Sequence, residues 1–323
     1  MSHAIRCHRT GGPEVLQWEP VEIGAPGPNQ IRVRHTAIGL NFIDTYHRSG
    51  LYPLPLPFTP GMEAAGVVEI VGSGVTGLKS GDRVAYGAVV GSYAEERLIE
   101  ADKVVKIPNE ISDIQAAAMM MQGMTAQYLL RRVYPVKAGD TILVHAAAGG
   151  VGLILCQWAQ KLGATVIGTV SSEAKAELAR ANGCQHPIVY TQENFRDRVL
   201  AITENRKLPV VYDSIGKDTF LLSLDCLRPL GVMVSFGQAS GPVPPLDLGL
   251  LAQKGSLFVI RPTIQTFVST AADLQAMAKD LFDAVIKGDV KITVNQTYKL
   301  KDAETAHRDL EARKTTGSTV LTV

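Results

Sequence analysis

Residues 141–175 read TILVHAAAGGVGLILCQWAQKLGATVIGTVSSEAK. A short Val/Ile/Leu run ends in a turn of small residues, a helical stretch follows, and a second β-rich run stops at Val170 before a polar turn. This is the order of a first β-α-β unit in a dinucleotide-binding fold. Ala147, Gly149 and Gly152 stand at the spacing of the G-x-G-x-x-G fingerprint, with alanine in place of its first glycine. Gly149 lets backbone approach a pyrophosphate, Gly152 lets helix pack against strand, and the helix N-terminus offers unpaired N–H groups to the anion. Val151, Leu155, Trp158 and Leu162 recur at helical spacing and supply the face that lies on a sheet.

The end of the second strand distinguishes between dinucleotides. An NAD site carries Asp or Glu there, on the adenosine ribose hydroxyls. Here Val170 is followed by Ser171 and Ser172, with Lys175 one helical turn on. A hydroxyl and an ammonium suit a 2′-phosphate that a carboxylate would repel, which favours NADPH over NADH. Glu173 lies between them, free to point to solvent.

The alternation continues outward. Strands are expected near 141–146, 165–170, 187–190, 209–213, 231–236 and 256–260, with helices between most of them, predicting a doubly wound parallel sheet of about six strands. Residues 1 to about 120 hold short β runs such as QIRVRHTAI, AGVVEIV and DRVAY, then one helix over about 112–132 capped by Ser112. After Pro262 come a helix near 270–287, a short helix near 302–313 and a final strand STVLTV. This tail is expected to return to the first domain, placing a cofactor in a cleft between domains.

With 323 residues and 46% hydrophobic residues, two domains with sizeable cores are expected. The net charge of +1 offers no general attraction to nucleic acid or anionic membrane. No apolar run reaches transmembrane length and Met1–Thr10 lacks a signal pattern, while Cys7, Cys156, Cys184 and Cys226 form no C-x-x-C pair. Reduced, buried thiols in a cytoplasmic protein are expected.

The stretch GMEAAGVVEIVG (61–72) resembles the G-H-E-x-x-G-x5-G signature of medium-chain alcohol dehydrogenases. In zinc-dependent members the His binds metal; here Met62 stands in its place, and a thioether is a poor zinc ligand. The family's first catalytic cysteine aligns with Asn41, MMMQGMTAQ has no cysteine, and the four-cysteine structural lobe is missing between about 85 and 115. No metal is expected, and Glu63 reads as a hydrogen-bonded interior carboxylate. GGPEVL, NFIDTYHRSGLYP, HAAAGGVG, VVYDSIG, VSFGQASG, QKGSLFVIRP and ARKTTGS together resemble the zinc-free NADPH:quinone oxidoreductase branch related to zeta-crystallin, over nearly the whole chain.

That resemblance implies an α/β protein with a Rossmann-type NADP-binding domain at 125–261 and a mostly β, GroES-like catalytic domain from 1–124 and 262–323. It places Gly150 and Val151, beside Gly149, at the pyrophosphate, Ser171 and Lys175 at the 2′-phosphate, and Tyr190 at the adenosine end. Ser214, Phe236, Thr125 and Arg313 fall near the cofactor; core packing for Tyr190 and Phe236 and a solvated surface role for Arg313 are the plainer alternatives. Asn41 would face the nicotinamide and donate to a carbonyl oxygen gaining charge. Tyr46 and Tyr52 offer flat surface to a quinone and a hydroxyl for a proton, or else ordinary packing. His145 reads as a satisfied interior histidine.

The expected activity is metal-free reduction of small quinones by hydride or electron transfer from NADPH, since a quinone is electrophilic without Lewis-acid help. Reduction of α,β-unsaturated carbonyls is the alternative enzymatic activity; a crystallin-like structural or RNA-binding role is the non-enzymatic one, which the absence of a basic run disfavours. SLFVIRP reads as an exposed edge strand, and with the resemblance it implies a homodimer.

Overall fold

In the computed structural model, which describes Met1–Val323, the chain divides into two units. The first comprises Met1–Met124, Val268–Ile286 and Ile292–Val323, and the second comprises Thr125–Phe267 and Lys287–Lys291.

In the first unit β1 (Ser2–Cys7) and β2 (Leu16–Val21) make an antiparallel pair. The main sheet begins with β3 (Gln30–Leu40), β4 (Glu63–Val71), β5 (Arg83–Gly87), β6 (Glu96–Glu100) and β7 (Val105–Lys106), paired antiparallel. Along β3, buried Ile31 and Val33 alternate with partly or fully exposed Arg32 and Arg34, the period of a strand with one covered face. The core gathers Ile5, Ile31, Val33, Ile38, Tyr86 and Tyr93. Directly after β3, Asn41 precedes α1 (Phe42–Ser49), which Gly50 closes in the left-handed conformation.

The helix expected over about 112–132 is three pieces: α2 (Asp113–Ala117), α3 (Met120–Tyr128) and a π-helical turn at Leu129–Val133. Ser112 caps α2 as expected, accepting from Gln115 N at 3.2 Å. The first N–H groups of a helix have no partner within it. The break at Ala118–Met119 therefore gives α3 its own free donors, and Met121 N–H uses this freedom to bond Glu63 (2.9 Å). The π turn lets Tyr212 Oη reach the Leu129 carbonyl (3.2 Å).

The second unit is a six-stranded parallel sheet of β8 (Thr141–Val144), β9 (Thr165–Val170), β10 (His186–Val189), β11 (Leu208–Asp213), β12 (Leu227–Ser235) and β13 (Phe258–Ile260), in the order β10-β9-β8-β11-β12-β13. Around it run α4 (Gly150–Lys161), α5 (Glu173–Ala181), α6 (Phe195–Ile202), α7 (Phe220–Leu224) and α8 (Leu248–Gln253). All six residues of β11 are buried, as in a parallel strand covered on both faces. Four helical residues follow, α9 (Ile264–Phe267). The second unit ends at Phe267 rather than at 261, because Phe267 stacks flat on Tyr128 (centroids 4.4 Å apart) and its carbonyl accepts from Arg132 (3.3 Å).

The chain then forms α10 (Ala271–Ile286) and, after residues 287–291, β14 (Val294–Lys299), α11 (Ala303–Glu311) and β15 (Ser318–Thr322). The first sheet runs β14-β15-β3-β4-β5-β7, with β6 also on β3. Residues 287–291 stay with the second unit through Lys291 N to Gln157 Oε1 (2.8 Å) and the Lys161–Asp289 ion pair (2.8 Å).

Candidate active site

In the second unit, strand order reverses between β8 and β11, and ligands of such sheets bind beyond the carboxyl ends at that reversal. The turn after β8 is built there. A Cβ on Gly152 would lie 2.2 Å from the Ala146 carbonyl, so helix α4 meets the turn only with glycine. Gly149 precedes α4 with no side-chain cap, leaving the N–H groups of its first turn, from Gly150 and Val151 onward, open to an anion.

Ser171 and Tyr190 lie at the carboxyl ends of β9 and β10, held together by Tyr190 N to Val170 O (3.1 Å) and Thr191 Oγ1 to Ser171 O (3.2 Å). Tyr190 is 41% exposed, which removes the core-aromatic alternative. Ser172 caps α5 by accepting from Lys175 N (3.4 Å), and Glu173 is exposed. Ser214 and Phe236 follow β11 and β12, and Phe236 is half-buried. Two organisers of these loops were not singled out in the sequence. Buried Asp213 accepts from Ile215 N, Gly216 N and Thr219 Oγ1, and Arg261 donates to the carbonyls on either side of Phe236, Ser235 (2.9 Å) and Gly237 (2.8 Å). Thr125 is buried at the start of this unit. His145 is an interior histidine, between Thr169 Oγ1 and Ser223 Oγ at 2.8 Å each, and burial lowers its pKa.

Asn41, Tyr46 and Tyr52 all lie in the first unit, and two of them, Tyr46 and Tyr52, meet. Tyr46 lies on α1 with its ring edge-on to Tyr52 (5.3 Å), and Tyr52 N donates to Tyr46 O (3.0 Å). Arg313 is in the same unit, exposed and left-handed (φ 58°) just after α11. Asn41 is buried, and both its backbone and its amide meet a carboxyl group. Its N–H donates to Asp44 Oδ2 (2.9 Å), and its Nδ2 lies 2.5 Å from Glu63 Oε2. Its Oδ1 faces Gln122 Nε2 (3.4 Å), and Gln122 Oε1 faces Ser318 Oγ (2.7 Å). Gly39 makes room for this group: a Cβ there would strike the Ala117 carbonyl (2.2 Å) and Glu63 Oε2 (2.5 Å).

Glu63 is fully buried, and burial raises its pKa to about 8 against the lowering pull of Asn41 and Met121. Asp44 is raised to about 7, again by burial, opposed by the bonds from Asn41 N–H and Tyr93. A relay links Asp44 to α11. Arg48 donates to His307 Nδ1 (3.0 Å) and pairs with Glu311 (2.7 Å), His307 Nε2 meets Tyr93 Oη (3.1 Å), and Tyr93 donates to Asp44 Oδ2 (3.0 Å). Burial, helped by Arg48, lowers His307 to about 3, so its ring is neutral, with the proton on Nε2. Gln122, Asp44, Tyr93 and His307 were missed in the sequence. A lone glutamine inside the apolar run MMMQGM was the one signal available for Gln122.

A mainly antiparallel first unit, in which only β14 and β15 pair parallel, followed by this parallel sheet and nucleotide turn defines the medium-chain dehydrogenase/reductase class. The alcohol dehydrogenase GroES-like domain model matches residues 27–109, and the zinc-binding dehydrogenase model matches residues 150–283. A quinone oxidoreductase of Pseudomonas aeruginosa is 54% identical over 323 residues, 99% of either chain, and a 2-haloacrylate reductase of a Burkholderia species is 48% identical over 99% of either. The crystal structure of Escherichia coli quinone oxidoreductase complexed with NADPH superposes with a TM-score of 0.98 at 49% identity, covering 99% of this chain and all of that one. The chain belongs to the quinone oxidoreductase family of medium-chain dehydrogenases/reductases.

Proposed function

We propose that the protein reduces small quinones with NADPH and without a metal ion. The observation that carries this reading is a nucleotide turn formed around Gly149 and Gly152; beside it, the resemblance sets Met62 and Asn41 at positions that are metal ligands in zinc enzymes of this class, and Asn41 bonds Glu63 instead. No three His, Cys, Asp or Glu side chains converge on a point where a metal ion could be held. The nucleotide site fits NADPH: Gly149, Gly150 and Val151 would receive the pyrophosphate, Ser171 and Lys175 the 2′-phosphate, and Tyr190 the adenosine end. Ser214, Phe236, Thr125 and Arg313 complete the assignment. When bound, NADPH supplies the hydride.

The chain's own contribution is to bind and orient. Asn41 would donate an amide hydrogen bond to the acceptor oxygen as it gains charge, an interaction stronger after transfer than before. Tyr46 and Tyr52 would present aromatic faces to a planar acceptor, and one hydroxyl would pass it a proton. The test is NADPH oxidation with p-benzoquinone, in the presence and absence of a chelator. Turnover indifferent to the chelator supports the reading, and a requirement for zinc and an alcohol overturns it.

The haloacrylate-reducing relative favours a second activity on activated alkenes. Comparing kcat/KM for a quinone and an enone on one preparation separates the two.

We also infer a homodimer and a cytoplasmic setting. The outermost strand β13 exposes Phe258 (58%), Val259 and Ile260, an edge that proteins cover or pair. All four cysteines are free and buried, in keeping with a reducing compartment. Light scattering checks the first inference, and a monomer at micromolar concentration refutes it.

A further inference from the structure

Ser318 Oγ lies 2.9 Å from the Ala118 carbonyl and 2.7 Å from the Gln122 amide, yet a hydroxyl has one hydrogen. The carbonyl can only accept. If it takes the hydrogen, the Gln122 atom facing Ser318 must be its nitrogen, and the amide is turned over. Its oxygen then faces Asn41, which must present nitrogen to it and turn its own oxygen toward Glu63. Amide oxygen and nitrogen occupy equivalent places, so nothing else moves. The contact of 2.5 Å between Asn41 and Glu63 becomes O–H···O, whose range reaches down to that distance, whereas the range of N–H···O does not.

We propose that Glu63 is a neutral carboxylic acid that donates its proton to Asn41 Oδ1, so that one unbroken line of donors runs from Met121 N–H through Glu63, Asn41, Gln122 and Ser318 to the Ala118 carbonyl. Every hydrogen on that line then has an acceptor, and it starts and ends on backbone groups exposed by the break between α2 and α3. The opposite direction leaves Ala118 without the Ser318 hydrogen. It also places a full negative charge on a carboxyl group that is wholly buried and joins no ion pair, a costly arrangement. The titratable group acting on Glu63 is Asp44 of α1, whose charge favours the neutral acid further. His35 of β3 and Tyr86 of β5 bond each other (2.9 Å) instead.

Glu63 is thus a positioning residue: it fixes which end of the Asn41 amide points where. The role of that amide in turnover rests on the function proposed above, whereas the protonation state does not, and the tests below read the carboxyl group alone. With 13C-labelled glutamate in the otherwise unmodified protein, one carboxyl resonance should keep its proton through pH 7 and titrate at about 8 or above, since the reversed Asn41 amide no longer donates to it, and Glu63→Gln should remove it. A spectrum in which every glutamate is ionised at pH 7 overturns the proposal.

The second measurement is the Tm as a function of pH. The folded state holds the Glu63 proton to at least about 8, whereas the ordinary value is 4.5, so unfolding between these limits releases a proton and stability falls as pH rises. Glu63→Gln reproduces the neutral acid, with its carbonyl to Met121 N–H and its N–H to Asn41. The decline of Tm across that window should therefore be shallower in the variant. A variant that is less stable at pH 7 with an unchanged slope would mean an ionised acceptor and refute the idea.

Discussion

Gly168 on β9 stands against Ala147 in the nucleotide turn, and a Cβ added to Gly168 would lie 2.6 Å from the Ala147 methyl. This relationship explains how the fingerprint tolerates alanine at its first position: the methyl lost from the strand gives room to the methyl gained in the turn. Ala147 N still bonds Thr169 O (3.0 Å), holding turn to strand. Gly168→Ala should destabilise the protein by roughly 1–3 kcal/mol, the range for overpacking a dense core. Ala147→Gly in the same chain should recover part of the loss, the remaining clash being with Cys184 Sγ, also at 2.6 Å. Urea unfolding of the two single variants and the double variant measures the coupling.

Asp44 gives a second pH dependence, coupled to that of Glu63 through its charge. It is buried, its Oδ1 has no hydrogen-bond partner, and its pKa stands near 7 against an ordinary 3.8. The folded state therefore retains a proton that the unfolded chain loses, and stability falls as pH rises from 3.8 to about 7 and levels off above. Asn at this position can accept from Asn41 N and Tyr93 Oη through one oxygen without a charge. Asp44→Asn should flatten that limb and stabilise the protein at pH 7 by at most on the order of 4 kcal/mol. Thermal melts across the range test it; a variant that melts lower than the parent at pH 7 would show that the charge is wanted.

The parallel sheet was the legible part of the chain. Its strands are apolar runs bounded by turns, and the period changes sharply at each helix, so Thr141–Val144 through Phe258–Ile260 could be located within a few residues. The break at Ala118–Met119 was not legible, because IQAAAMMM consists of strong helix formers throughout. Tertiary contacts decide it: Glu63 takes the Met121 N–H, and Ser318, some 200 residues away in sequence, supplies a hydrogen to Ala118. The same distance hid the site's polar line. Asn41 and Glu63 could be picked out by resemblance, but nothing local to His307 or Ser318 shows that they close the network from α11 and β15.

Arg48 shows what such a distant partner contributes. It is nearly inaccessible, yet one guanidinium donates to Gly11 O (3.2 Å), His307 Nδ1 (3.0 Å) and both oxygens of Glu311 (3.0 and 2.7 Å). Removing it strands a buried imidazole nitrogen and a carbonyl. Arg48→Ala should cost about 3 kcal/mol, the low end for breaking a buried pair because Glu311 is over a third exposed. Arg48→Lys should recover little, since an ammonium cannot reach three directions in the plane that the fork spans. Chemical denaturation of both variants checks the ranking.

Lys175 tests the coenzyme assignment without touching the chemistry. It lies on the first turn of α5, whose N–H it lends to Ser172, and no acid follows β9 before exposed Glu173. If its ammonium faces the 2′-phosphate, Lys175→Ala removes one charge-assisted contact that only the phosphorylated coenzyme makes. A partly exposed pair of this kind is worth about 1–2 kcal/mol, or roughly a tenfold change in Kd. The Kd for NADPH should rise by about that factor while the Kd for NADH stays put, and kcat at saturating NADPH should hold. Calorimetric titration with both nucleotides gives the comparison. Equal weakening of the two would move Lys175 away from the phosphate and leave Ser171 as its remaining candidate ligand beside β9.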